Sequence, residues 1–146
     1  MKLSEIAKHI ATYHPDSELR YYINDKNVDE ELLIEPLLDF YIHEQMDLCK
    51  CGRPEDTYET IRTFLLIRKA WEKNGWSRDN VVKSYEANLH INYKNDINYG
   101  LLQFLMYVLD SYEFIEHGSS ISGCWLTKDG ERLLTVLNAW HKHLEE

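Results

Sequence analysis

The stretch Leu101–Leu137, LLQFLMYVLDSYEFIEHGSSISGCWLTKDGERLLTVL, decides the fold. Leu101, Leu105 and Val108 share one helical face, and Leu102 and Leu109 widen it into an apolar stripe. Phe114 to His117 reads as extended. Gly118-Ser-Ser-Ile-Ser-Gly123 has the turn chemistry of a hairpin, and Cys124-Trp125-Leu126 returns as the second strand. Thr127 is placed to cap a closing helix whose apolar positions Leu133, Leu137 and Trp140 fall at i, i+4 and i+7. Helix, β-hairpin, helix is how a winged-helix module ends. The expected class is therefore mainly α (α+β). Trp125 and Leu126 are expected together in the core against Leu105, Leu109, Leu133 and Leu137, so that Trp125→Ala would cost about 3–5 kcal/mol.

Outward from this stretch, Ser4 to Tyr13 reads as a short amphipathic helix with Ile6, Ile10 and Tyr13 on one face, Ser4 as cap and Pro15 as terminator. Leu19, Tyr21 and Ile23 alternate with Arg20 and Tyr22, which predicts a strand. A helix then runs to about Met46, restarted at Pro36, since proline is tolerated in a first turn. Pro54-Glu55-Asp56 opens the next helix, buried through Tyr58, Ile61, Leu65 and Ala70-Trp71 and closed by Gly75. Ser77 caps a further predicted helix to Leu89, and Leu89, Ile91 and Tyr93 alternate as an extended piece. The whole of 1–146 reads as a single domain, with 1–50 a helical extension and 54–146 the winged-helix-like module.

The chain has 146 residues, 44% of them apolar, which suits a packed core and argues against disorder. No apolar run reaches the ~20 residues of a membrane span, and MKLSEIAKHI is too evenly charged to read as a signal peptide. Three cysteines, two of them in C-x-C, fit a reduced, cytoplasmic setting better than a disulfide framework. The net charge of -9 opposes general binding to polyanions such as nucleic acid or an acidic membrane.

That charge is unevenly spread. Between Asp25 and Asp47 stand eight carboxylates against Lys26 alone. Such a strip reads either as a solvated helix face or as a surface matched to a cationic partner, with Asp29, Glu30, Glu31, Glu35 and Asp39 as the partner-binding candidates. An internal offset would instead set Arg62 or Lys69 against Glu35 or Asp39. From Asn95 through Thr127 there is no Lys or Arg, so the helix and wing that a winged-helix protein offers to DNA carry no cation for phosphate or guanine. A DNA-binding face would have to use Arg62, Lys69, Lys73 and Arg78.

Other constellations are thin. Cys49 and Cys51, with His43, His117 and Cys124, include soft ligands for zinc, but C-x-C without a second close pair is a weak signal, and Cys124 reads as core. Glu35, Asp39 and His43 recur every four residues, yet no second Glu-x-x-His completes a di-metal site. No phosphate loop, nucleophile elbow or H-E-x-x-H occurs. No cofactor and no catalytic residue is assigned, and an enzyme is not the expected reading.

The pattern Phe114-Ile-Glu-His-Gly118, Trp125-Leu-Thr127, Gly130 and Leu133-Leu134, with the loop Cys51-Gly-Arg-Pro-Glu55, resembles small accessory proteins of phages and prophages of Gram-positive bacteria. The resemblance covers roughly residues 49–140 and brings no defined activity. It implies a phage-type protein that binds a host protein, itself basic or nucleic-acid-binding, and so modulates host nucleic-acid-handling or defence machinery. The alternative is a winged-helix transcriptional regulator reading DNA as a homodimer. In a gel shift at physiological salt, random duplex DNA should give no tight, salt-sensitive complex. A shift that disappears on mutating Lys69 and Lys73 would move the reading to the alternative.

Overall fold

The computed structural model describes residues 1–23, 28–48, 54–74, 99–119 and 124–145. The predicted helix from Ser77 and the extended piece 89–93 lie outside them. The chain divides into two compact units, one of Met1–Gly52 with Thr135–Glu146 and one of Arg53–Leu134. Among the described residues the protein is mainly helical with a small antiparallel sheet near its C-terminus, an α+β arrangement.

In the first unit, α1 (Leu3–Tyr13) buries Leu3, Ile6, Ala7 and Ile10. Tyr13, expected on that face, is exposed, because the helix ends there and its cap His14 turns the chain. Ser4 is not the cap; its N–H donates to the Glu30 carboxylate at 3.1 Å. The predicted strand after Pro15 is instead a 3₁₀ turn, Glu18–Tyr21. Of the alternating residues only Leu19 is fully buried, while Tyr21 is exposed. One buried side chain needs one turn, not a strand.

A 3₁₀ segment, Glu30–Leu33, leads into α2 (Ile34–Leu38), with Pro36 in its first turn, where the missing N–H costs nothing. The helix then widens into a π segment, Asp39–Gln45. Phe40, Tyr41 and Ile42 are all buried. An i→i+5 ladder places more residues in each turn, so three consecutive side chains can reach the core together. Asp47, at φ 48°, reverses the chain, and the Leu48 N–H returns to the Ile42 carbonyl at 2.8 Å.

The second unit holds α3 (Pro54–Asn74), α4 (Tyr99–Ser111), β1 (Ile115–Glu116), β2 (Trp125–Leu126) and the start of α5 (Lys128–Glu145). α3 packs on α4 and on β2. Its residues 61–65 are all buried, Arg62 and Thr63 included, so this helix has no wholly solvated face there. Leu105 and Leu109 of α4 are fully buried, and Val108 is only half-buried.

α4 ends in a motif that the hydrogen bonds define. The Phe114 N–H bonds the Leu109 carbonyl at 3.0 Å and the Glu113 N–H bonds the Asp110 carbonyl at 3.1 Å. This is a Schellman cap with Glu113, at φ 63°, in the left-handed position usually held by glycine. Leu109 and Phe114, the apolar pair that accompanies such a cap, are both 0% exposed. β1 and β2 then pair antiparallel, Ile115 opposite Leu126 and Glu116 opposite Trp125. Adjacent strand residues point to opposite faces, so Trp125 and Leu126 cannot share the core. Leu126 is buried; Trp125 faces solvent beside Glu116, contrary to the sequence expectation.

Thr127 caps α5 as expected: its hydroxyl accepts from the Gly130 N–H at 3.0 Å. The first turn of α5 lies so close to the Phe114 backbone that a Cβ on Gly130 would clash with the Phe114 carbonyl oxygen. In α5 itself Leu133, Leu137 and Trp140 are buried as predicted, as are Leu134 and Val136. Two substitutions at the junction should move stability in opposite directions. Gly130→Ala should lose about 1–3 kcal/mol through the forced shift. Glu113→Gly should gain roughly 0.5–1 kcal/mol by relieving a left-handed non-glycine residue. Urea denaturation of the two variants checks both signs.

Candidate functional site

The five acidic candidates are not equivalent. Asp29 caps the 3₁₀ segment, its carboxylate accepting from the Glu31 N–H at 3.0 Å. Glu30 ties that segment to α1 through Ser4, an anion set at the positive end of a helix. Glu31, Glu35 and Asp39 are exposed, and Asp39 lies 3.9 Å from the His43 imidazole. His43 also faces the Leu48 carbonyl through Nδ1, at 3.1 Å. Glu30→Ala should therefore cost about 0.5–2 kcal/mol, the range for losing a helix cap, while Glu35→Ala should stay within ~0.5 kcal/mol. Thermal denaturation separates the two.

The cationic candidates find carboxylates within their own unit. Arg62 is buried and pairs with Glu59 at 3.1 Å. Lys69 reaches Glu131 of α5 at 2.6 Å. Lys73 is on the last turn of α3, where side chains are not described, and Arg78, Cys49 and Cys51 lie outside the described residues. Among the described residues no group of three His, Cys, Asp or Glu side chains is placed to hold a metal ion. Cys124 is buried, as expected.

The hairpin carries a feature that residue spacing alone did not single out. An open cleft of about 920 Å³ is bounded by the end of α4, both strands and the first turns of α5. Trp125 lies in it, its indole N–H donating to the Glu116 carboxylate at 3.2 Å. Asp110, Glu113 and Asp129 add three more carboxylates; Lys128 and Arg132 are the cations, and Arg132 is paired to Asp129 at 2.6 Å. His117 Nε2 stands 3.3 Å from Asp110 Oδ1. The cleft thus presents an indole and a surplus of carboxylates at an open mouth.

Other aromatic side chains are exposed outside the cleft lining. Phe104 is 58% exposed, Tyr107 54% and Tyr112 38%, against 42% for Trp125. Phe104 and Tyr107 are three apart on the side of α4 opposite Leu105 and Leu109. In the first unit Tyr13 and Tyr21 are also exposed, and Arg20 donates to the Tyr21 hydroxyl at 2.7 Å, which raises the pKa of its guanidinium further.

No protein-family model matches the chain, and neither does any curated protein or solved structure. No described helix is long and apolar enough to cross a membrane. The strand register sets a second test. Leu126→Ala should cost about 2–5 kcal/mol, and Trp125→Ala clearly less than the ~3–5 kcal/mol of a buried ring. Equal costs for the two would contradict the register.

Proposed function

We propose that the protein is a non-enzymatic accessory protein of the cytoplasm that acts by binding a basic protein. The carrying observation is the exposure of Trp125 in a cleft lined by Asp110, Glu113 and Glu116, with Phe104, Tyr107 and Tyr112 of α4 and its cap exposed as well. Large exposed aromatic side chains supply contact area at low entropic cost and are enriched in interfaces. The chain has no Lys or Arg from Asn95 through Thr127, and in the cleft the carboxylates Asp110, Glu113, Glu116 and Asp129 outnumber the cations Lys128 and Arg132. Such a surface attracts a cationic partner and repels nucleic acid and acidic membranes.

The resemblance to phage accessory proteins supports a host protein as that partner, with nucleic-acid-binding proteins as natural candidates because they carry cationic surfaces. The exposed Glu31, Glu35 and Asp39 supply a second acidic surface, in the first unit. The positions of Arg62 and Lys69 give the DNA-binding alternative no support, since one is buried and both have carboxylate partners.

Once a partner has been captured from host lysate and purified, binding kinetics at low and high salt test the reading. Tyr107→Ala with Trp125→Ala should weaken affinity roughly tenfold or more, with the melting temperature little changed. The wild-type on-rate should fall steeply with salt. Reversing Glu31, Glu35 and Asp39 to lysine should slow association if the first unit also takes part. A salt-independent on-rate, with affinity untouched in both variants, would overturn the proposal.

A further inference from the structure

The indole of Trp125 presents a free face. The residue is 42% exposed, and among the described residues no ring and no cation is stacked on it. Its N–H donates at 3.2 Å to the carboxylate of Glu116, its cross-strand neighbour. A hydrogen bond to an indole N–H lies in the plane of the ring, so it holds the ring by one edge and covers neither face. Glu116 keeps its charge in accepting that bond. An aromatic face with a carboxylate fixed at its rim is suited to a cation.

The cations of the cleft are placed elsewhere. Arg132 is held by Asp129 at 2.6 Å, and Lys128 is exposed. Asp110 is shared with His117 at 3.3 Å. Glu113 is exposed and has no ion-pair partner among the described residues. Glu113 and Glu116 therefore leave a surplus of negative charge beside the ring, against Lys128 alone. We propose that the cleft seats an arginine side chain of the basic partner, its guanidinium stacked on the Trp125 indole and bonded to Glu116. This rests on the reading of the cleft as part of the partner surface, and it names the side chain that anchors the partner there.

The chemistry of the rim selects among occupants. An apolar side chain would cover the indole but would strip water from Glu113 and Glu116 without pairing them. A lysine ammonium is a compact, strongly hydrated charge that the carboxylates satisfy without help from the ring. A guanidinium is planar and more weakly hydrated. It lies flat on an aromatic face while its N–H groups, all in one plane, point outward to carboxylates at the rim.

Two blocked nonapeptides, identical except that one carries three arginines and the other three lysines, test the assignment by NMR on the isotope-labelled full chain. The Trp125 indole N–H resonance is identified by its loss in Trp125→Leu. The arginine peptide should move that resonance, and the δ-protons of one arginine should shift upfield, as protons over a ring face do. It should bind roughly two- to fivefold tighter than the lysine peptide, the advantage of an exposed cation–π contact. In Trp125→Leu the upfield shift should vanish and the two peptides should bind alike. Glu116→Gln keeps an acceptor for the indole N–H but removes the charge, and should weaken the arginine peptide with the melting temperature unchanged. Equal binding of the two peptides to the wild type, with no upfield shift, would overturn the arginine anchor and leave an acidic partner surface standing. Neither peptide moving the Trp125 resonance would overturn the anchor as well. The partner surface is judged separately, by the salt dependence of the captured partner's on-rate.

Discussion

The second unit depends on one threonine. The Thr127 N–H bonds the Phe114 carbonyl at 3.1 Å, its hydroxyl donates to the Glu113 carbonyl at 2.7 Å, and the same oxygen accepts the Gly130 N–H at 3.0 Å. A single residue thus closes the strand pair, satisfies a carbonyl in the cap that ends α4 and caps the start of α5. Each of these backbone groups is near a helix end, where partners must come from outside the helix. Gly130 completes the junction by being nothing at all: only a residue without a Cβ lets α5 begin against the Phe114 backbone.

How much of this was legible in the sequence follows from which signals are local. The helix, hairpin and closing helix could be read from 3.6-residue periodicity, glycine-serine turn chemistry and a threonine before an apolar helix. So could the cap at Thr127 and the end of α1 before Pro15. Several readings fail for physical reasons. Leu19, Tyr21 and Ile23 alternate like a strand, but Tyr21 is exposed and only one buried leucine was needed. The expectation that Trp125 and Leu126 share one core with two helical stripes fails because the two-residue period of a strand forbids burying both. The Schellman cap carries no signal that a sequence reading could use, because glutamate, not glycine, holds the left-handed position.

The candidate sites were legible as charge but not as geometry. Counting carboxylates marked the strip 29–39 without showing that Asp29 and Glu30 are spent on capping and on holding α1. Counting cations marked Arg62 and Lys69 without showing that the first is buried and both are paired. The absence of lysine and arginine from 95 to 127 is a sequence fact, whereas the cleft that brings Asp110, Glu113, Glu116 and Trp125 together with Lys128 and Arg132 is visible only in the fold. The Asp110–His117 pair is seven residues apart in sequence and meets only because the α4 cap turns the chain back on itself.

The central physical claim is that the Thr127 junction is part of the core of the second unit rather than a surface trim. Native-state hydrogen exchange as a function of denaturant measures this directly, through the opening free energies of the Phe114 and Thr127 amides. Both amides should exchange only with unfolding of the whole unit, at the same free energy as the amides of α4 around Leu105 and Leu109. Exchange of either amide through a small local opening, while α4 stays protected, would contradict it.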